Sequence, residues 1–152
     1  MTDAVRRRGR VTLRQGLVLI FVLGSIGLGA ELVLLGHFQE WRQQAPLVLL
    51  VSGLVLVAVN LVYKRPVVLR IFRLAMLAFV LGGIVGFWFH INGNMAFELE
   101  MNSKLTGWGL VSRTAGGALP VLAPGALIQL GLIGLLYTYR HPCLDAGQRE
   151  MD

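Results

Sequence analysis

The chain has 152 residues, of which 55% are hydrophobic and 14% charged, whereas soluble domains carry about 25% charged residues. That length holds one compact unit and leaves no room for a second domain. The composition excludes an ordinary soluble protein. A net charge of +6 does not point to nucleic acid, because the basic residues sit at the ends of apolar runs and are not interleaved with stacking aromatics.

Four apolar runs dominate the chain, at about 13–36, 45–63, 71–89 and 118–139. Each is near or above the ~20 residues that cross ~30 Å of hydrocarbon as a helix. The expectation is an all-α polytopic membrane protein, a four-helix transmembrane bundle in a single integral membrane domain over 1–152. The first run is far longer than the 7–15 residues of a signal-peptide core, so it reads as a retained span.

Charge sets the expected orientation. Arg6, Arg7, Arg8, Arg10 and Arg14 precede the first run, Lys64, Arg65, Arg70 and Arg73 lie between the second and third, and Arg140 and Arg149 follow the fourth. Only Arg42, Lys104 and Arg113 lie on the other side. The positive-inside rule then places both termini and the short 64–70 loop in the cytoplasm. Arginine outnumbers lysine twelve to two, which hints at a GC-rich bacterial genome and a multi-pass protein of the bacterial inner membrane. The single cysteine, Cys143, cannot form an internal disulfide.

In the first run Gly16, Gly24 and Gly27 fall with Glu31 inside an arc of about 80° at helical spacing. A glycine stripe lets a neighbouring backbone approach in lipid, so Glu31 is expected to face protein. The second run is plain, interrupted only by Ser52, Gly53 and Asn60. The third carries Gly82, Gly83 and Gly86, a GxxxG pattern, and ends at His90. Gly24, Gly27, Gly82 and Gly86 are the expected helix-packing positions. The first and third runs each pair a glycine stripe with a histidine at the outer end, as an old two-helix duplication would leave them.

The 90–117 segment is the one sizeable piece outside the runs. Phe97, Met101, Leu105 and Trp108 cluster on one face of a helix, which predicts an outer amphipathic segment between spans three and four. Alternation of Met95, Phe97, Leu99 and Met101 is the weaker strand alternative. The fourth run has Pro120 and Pro124 near its start, where missing amide donors cost least. Gln129 follows near mid-membrane, and Tyr137 and Tyr139 mark the inner interface.

The intramembrane polar and proton-handling candidates are Glu31, His90 and Gln129. A carboxylate at hydrocarbon depth must be paired, protonated or near water, and a Glu31–His90 pair would make a proton or pH switch. The structural alternatives are a hydrogen bond between helices for Glu31 and a wet helix end for His90. A metal site from His37, His90, Glu98 and Glu100 is a lesser possibility, because the residue types suit zinc or copper but their spacing is irregular. Bis-histidine haem fits poorly with three histidines, of which His141 lies opposite the other two. No Ser/His/Asp set, phosphate loop or CxxC motif occurs, so neither an enzyme nor a cofactor is expected.

Three stretches together resemble a group of small four-span bacterial membrane proteins of unassigned function. They are Glu31-Leu32-Val33-Leu34-Leu35-Gly36-His37 with Gln44-Ala45-Pro46-Leu47; His90-Ile91-Asn92-Gly93-Asn94 running into Phe97-Glu98-Leu99-Glu100-Met101; and Ala123-Pro124-Gly125 with Gln129-Leu130-Gly131-Leu132 and Tyr137-Thr138-Tyr139-Arg140-His141-Pro142. The resemblance implies the four-span architecture and no activity. Small multidrug-resistance transporters are a second comparison, with four spans and a glutamate in the first. Here Glu31 sits near the outer end of its run, and those transporters have no counterpart of the 90–117 segment. The expectation is therefore a protein that acts by association, as an accessory or structural subunit or as a homo-oligomer, with the lipid bilayer and other membrane subunits or itself as partners. A proton-linked transporter or pH switch using Glu31 is the alternative.

Overall fold

The computed structural model describes residues 12–117, 119 and 123–144, and among these every regular element is helical. In chain order they are α1 (Leu13–Leu34), α2 (Trp41–Tyr63), α3 (Pro66–Met101), α4 (Gly107–Ala115) and α5 (Ala123–Thr138). Three of them, α1, α2 and α3, are long and apolar enough to cross a membrane, and α5 is a shorter apolar helix.

Local chemistry sets the boundaries. The Thr12 hydroxyl accepts from the Gln15 N–H, and the Gln15 side chain accepts from the Thr12 N–H, a capping box that starts α1. At the other end the Gly36 N–H reaches Val33 O and the His37 N–H reaches Leu32 O. With Gly36 at φ +65° this is a Schellman stop, and the left-handed position suits glycine. α2 starts where the Gln43 side chain accepts from the Gln39 and Glu40 N–H groups. It ends at Lys64, which is left-handed. Pro66, at the first position of α3, needs no amide partner there. The 64–70 loop thus shrinks to two residues.

The third helix departs from the expectation. It has 36 residues, about 54 Å at 1.5 Å per residue, and it runs through the predicted end at 89 without a break. The polar stretch after His90 looks like a helix stop, yet its groups are satisfied on a helical backbone. Asn92 donates to Trp88 O at 2.7 Å, and Asn94 bonds other elements. The expected amphipathic helix is split accordingly. Phe97 and Met101 belong to α3, Leu105 to the turn, and Trp108 to α4. The break falls at Asn102, whose side-chain oxygen accepts from the Lys104 N–H at 3.1 Å, a local bond that competes with helix continuation. No strand forms over Met95–Met101. The predicted fourth run is observed as α5 with 16 residues; positions 118 and 120–122, including Pro120, lie outside the described residues.

Helix contacts run α1–α2, α2–α3, α3–α5 and α5–α1, with α4 against α3, and the most extensive is α3–α5. Small residues make that contact possible. A Cβ at Gly83 would lie 2.8 Å from Pro124 O, and one at Gly131 would lie 2.8 Å from Met76 O. The core between the helices is filled by Phe21, Phe72, Phe79, Leu50, Leu69 and Met76. Phe21 meets Phe72 edge-on at 5.6 Å, and Phe72 meets Tyr137 at 5.9 Å, geometries that aromatic quadrupoles favour.

Gly131→Val puts a branched side chain against the Met76 carbonyl. It is expected to cost about 1–3 kcal/mol or more, read as a lower melting temperature in detergent. Gly16→Ala meets nothing within 4 Å and is expected to leave the melting temperature unchanged or slightly higher.

Candidate functional site

The end of the molecule where α1 stops and α2 starts gathers most of the polar candidates. The Schellman turn at Gly36 reverses the chain, so that half-buried His37 comes to His90 on α3. Their ring centroids are 6.3 Å apart. Partial burial, and then the His90 imidazole, lower the His37 pKa below the ordinary histidine value. Beside them the Arg42 guanidinium lies over the Phe89 ring at 5.1 Å and the Trp41 ring at 5.4 Å, a cation–π bridge from α2 to α3.

Beyond the histidines, α3 carries two further polar contacts. Glu98 faces Arg113 of α4 at 3.7 Å. Asn94, only 2% exposed, donates to Thr114 O at 3.0 Å and to Leu119 O at 2.9 Å, and accepts from the Leu119 N–H at 2.9 Å. One side chain thereby ties the connection between α4 and α5 to the extension of α3. Gly117 lets the chain pass, because a Cβ there would sit 2.8 Å from the Asn94 carbonyl oxygen. Nothing in the sequence marks Asn94 as the residue that makes this tie. Its signal, an asparagine between glycine and an apolar helical stretch, is shared by many exposed loop residues.

The expected metal set does not assemble. Among the described residues no three His, Cys, Asp or Glu side chains come together as a metal-binding group. Glu98 is engaged by Arg113, and Glu100 is exposed at the end of α3. His37 and His90 are left as a pair of imidazoles.

Glu31 departs furthest from its expected setting. It is exposed, one turn from the end of α1, and its side chain makes no hydrogen bond or ion pair among the described residues. The face of α1 that packs inward is Phe21, Ser25, Leu28 and Leu32. No hydrogen bond or ion pair joins Glu31 to His90 or to Gln129. Gln129 is itself exposed on α5. Of the expected packing glycines, Gly24 meets Leu130, Gly82 meets Leu49 at 3.0 Å and Gly86 meets Pro124 at 3.3 Å for an added Cβ. Gly27 is exposed and meets nothing within 4 Å. It lies one turn before Glu31 on the same outward face.

No protein-family model, no curated protein and no solved structure matches the chain.

Asn94→Ala orphans buried backbone groups and is expected to cost about 1–3 kcal/mol. Limited proteolysis between α4 and α5 should rise with it. For His37 the sign follows from the lowered pKa. Above the ordinary value of 6.5 both folded and unfolded rings are neutral and the site has no pH effect. As pH falls through that value the unfolded ring takes up the proton first, so stability drops until the folded ring titrates as well. His37→Gln is expected to flatten the melting temperature against pH below ~6.5 relative to wild type.

Proposed function

We propose that this is a four-span integral protein of the bacterial inner membrane, with cytoplasmic termini, that works by association as a subunit of a membrane complex or as a homo-oligomer. In this reading α1, α2, α3 and α5 are the spans of a four-helix bundle, as in the small four-span proteins its motifs resemble. The α3 extension with α4 forms the outer segment. The asymmetry of eleven basic residues against three supports the orientation.

The observation that carries the association reading is the setting of Glu31. Its exposed neighbours on the helix surface, at i−4, i+3 and i+4, are small or apolar: Gly27, Leu34 and Leu35. A carboxylate in such surroundings is costly in lipid, and its place at the carboxyl end of a helix adds an unfavourable dipole. A second helix laid along Gly27 and Glu31 removes both costs, because the glycine admits a close backbone and the carboxylate gains a donor or a shared proton. Gln129, exposed on α5, adds a second donor and acceptor on the outer surface of the helices. The alternative, proton-linked exchange through Glu31 and His90, has less support, since no hydrogen bond or ion pair joins the two side chains and the His90 ring lies 6.3 Å from that of His37 at a tilt of 60°.

Disulfide cross-linking tests this. In a Cys143→Ser background, Gly27→Cys in native membranes is expected to give a defined cross-linked species under mild oxidation. Glu31→Leu in the same chain should lower its yield by about tenfold, the equivalent of one charge-assisted hydrogen bond. A reporter at Trp88→Cys, on the surface of α3, should cross-link poorly. Monomer alone from Gly27→Cys would rule out self-association along this face, and absence of any co-purifying membrane protein would then rule out the subunit form.

A further inference from the structure

We propose that a groove at the basic end of the molecule binds one anionic phospholipid. The groove lies between α1, α2 and α5, where α1 begins and α5 ends, and has a volume of about 380 Å³. It is lined by apolar Val18, Val22 and Leu61, by Tyr137, and by Arg14, Gln15 and His141. Leu61 is 59% exposed, so the groove opens sideways, toward lipid when the helices span a bilayer. The inference rests on that membrane placement and not on association through Glu31.

The polar part of the lining holds a fixed cation. The Arg14 guanidinium donates to Arg140 O at 2.7 Å. Arg140 sits in a left-handed conformation, φ 46°, that ends α5 and presents this carbonyl. One bond occupies one of five guanidinium donors, and the planar fork suits a phosphate diester. The Tyr137 and His141 rings pack edge-on at 5.3 Å, and Asn60 donates to the Tyr137 hydroxyl at 2.8 Å, which holds the Tyr137 ring in place. The Cys143 thiol donates to Lys64 O at 3.0 Å, which ties the chain after α5 to the α2–α3 turn.

Charge complementarity selects an anionic headgroup. The described residues at this end include Arg14, Lys64, Arg65, Arg70, Arg73 and Arg140 and no carboxylate. All four described carboxylates, Glu31, Glu40, Glu98 and Glu100, lie toward the opposite end. Basic residues at a membrane surface attract anionic lipid. The apolar lining distinguishes this site from one for free phosphate, because it suits an acyl chain that free phosphate lacks.

The test is the melting temperature of the full chain in a neutral detergent, titrated with phosphatidylglycerol, with phosphatidylcholine of the same acyl chains, or with inorganic phosphate. Phosphatidylglycerol is expected to raise the melting temperature saturably, as ligand binding to the folded state does. Its half-maximal concentration should be about tenfold lower than for phosphatidylcholine, and phosphate alone should have no effect. Arg14→Gln should remove the preference between the two lipids. If Arg14→Gln does not fold, Leu61→Trp, which fills the groove without touching a charge, should abolish the saturable shift. Arg73→Gln, outside the groove, should leave it intact. Equal response to both lipids, an equal shift with phosphate, or a preference that survives Arg14→Gln or Leu61→Trp would overturn the proposal. Sedimentation of the same samples reports oligomeric state separately, so failure of this site and failure of the association reading remain distinguishable.

Discussion

The close approach of α3 and α5 is the constraint on which the rest of the structure depends. Apolar helices in lipid gain little from burying more apolar surface, so their association rests on tight packing and on a few polar bonds. Gly83 on α3 and Gly131 and Gly134 on α5 remove the side chains that would hold the two backbones apart. Once α5 is seated, Tyr137 reaches Asn60 of α2, and Arg140 O reaches Arg14 of α1. At its other end, the chain entering α5 is fastened by Asn94. A helix of only 16 residues thereby organises the longer helices.

Polar groups divide into two kinds by where they point. Asn60, Tyr137 and Asn94 face inward and bond one another or nearby backbone, as most buried polar groups do, while Asn60 Oδ1 and Ser25 Oγ are buried with no partner among the described residues. The Glu31 and Gln129 side chains face outward without a hydrogen bond among the described residues. In water an outward glutamate costs little, whereas beside Leu34 and Leu35 on a helix that crosses a membrane it calls for a partner. The association reading and the inner bonds therefore follow from one rule applied to two faces.

Much of this was legible in the sequence. The apolar runs mark the helices, and Gly24, Gly82 and Gly86 do pack against neighbouring side chains. The helical nature of the runs follows from their length, since no shorter element spans hydrocarbon with its backbone bonds satisfied. What periodicity does not reveal is which face a neighbour covers. On a soluble helix, polarity marks the outside. On α1 both faces are apolar, so the arc holding Gly24, Gly27 and Glu31 looks like a packing seam although only its edge, Gly24, touches α5. The length of α3 was hidden for a related reason. Asn92, Gly93 and Asn94 have the composition of a loop, and only the distant partners of Asn94 make a helix acceptable there. The approach of His37 to His90 depends on the Gly36 turn, a local signal whose consequence is a contact far along the chain.

The most direct measurement of the central claim is native mass spectrometry of the protein extracted with a patch of its own membrane, without detergent exchange. The account predicts a defined assembly, either a fixed number of copies or a stoichiometric complex with another membrane protein, in which Glu31 is covered. A lone chain carrying only lipid would contradict it and leave the outward carboxylate of α1 without the partner that the account assigns to it.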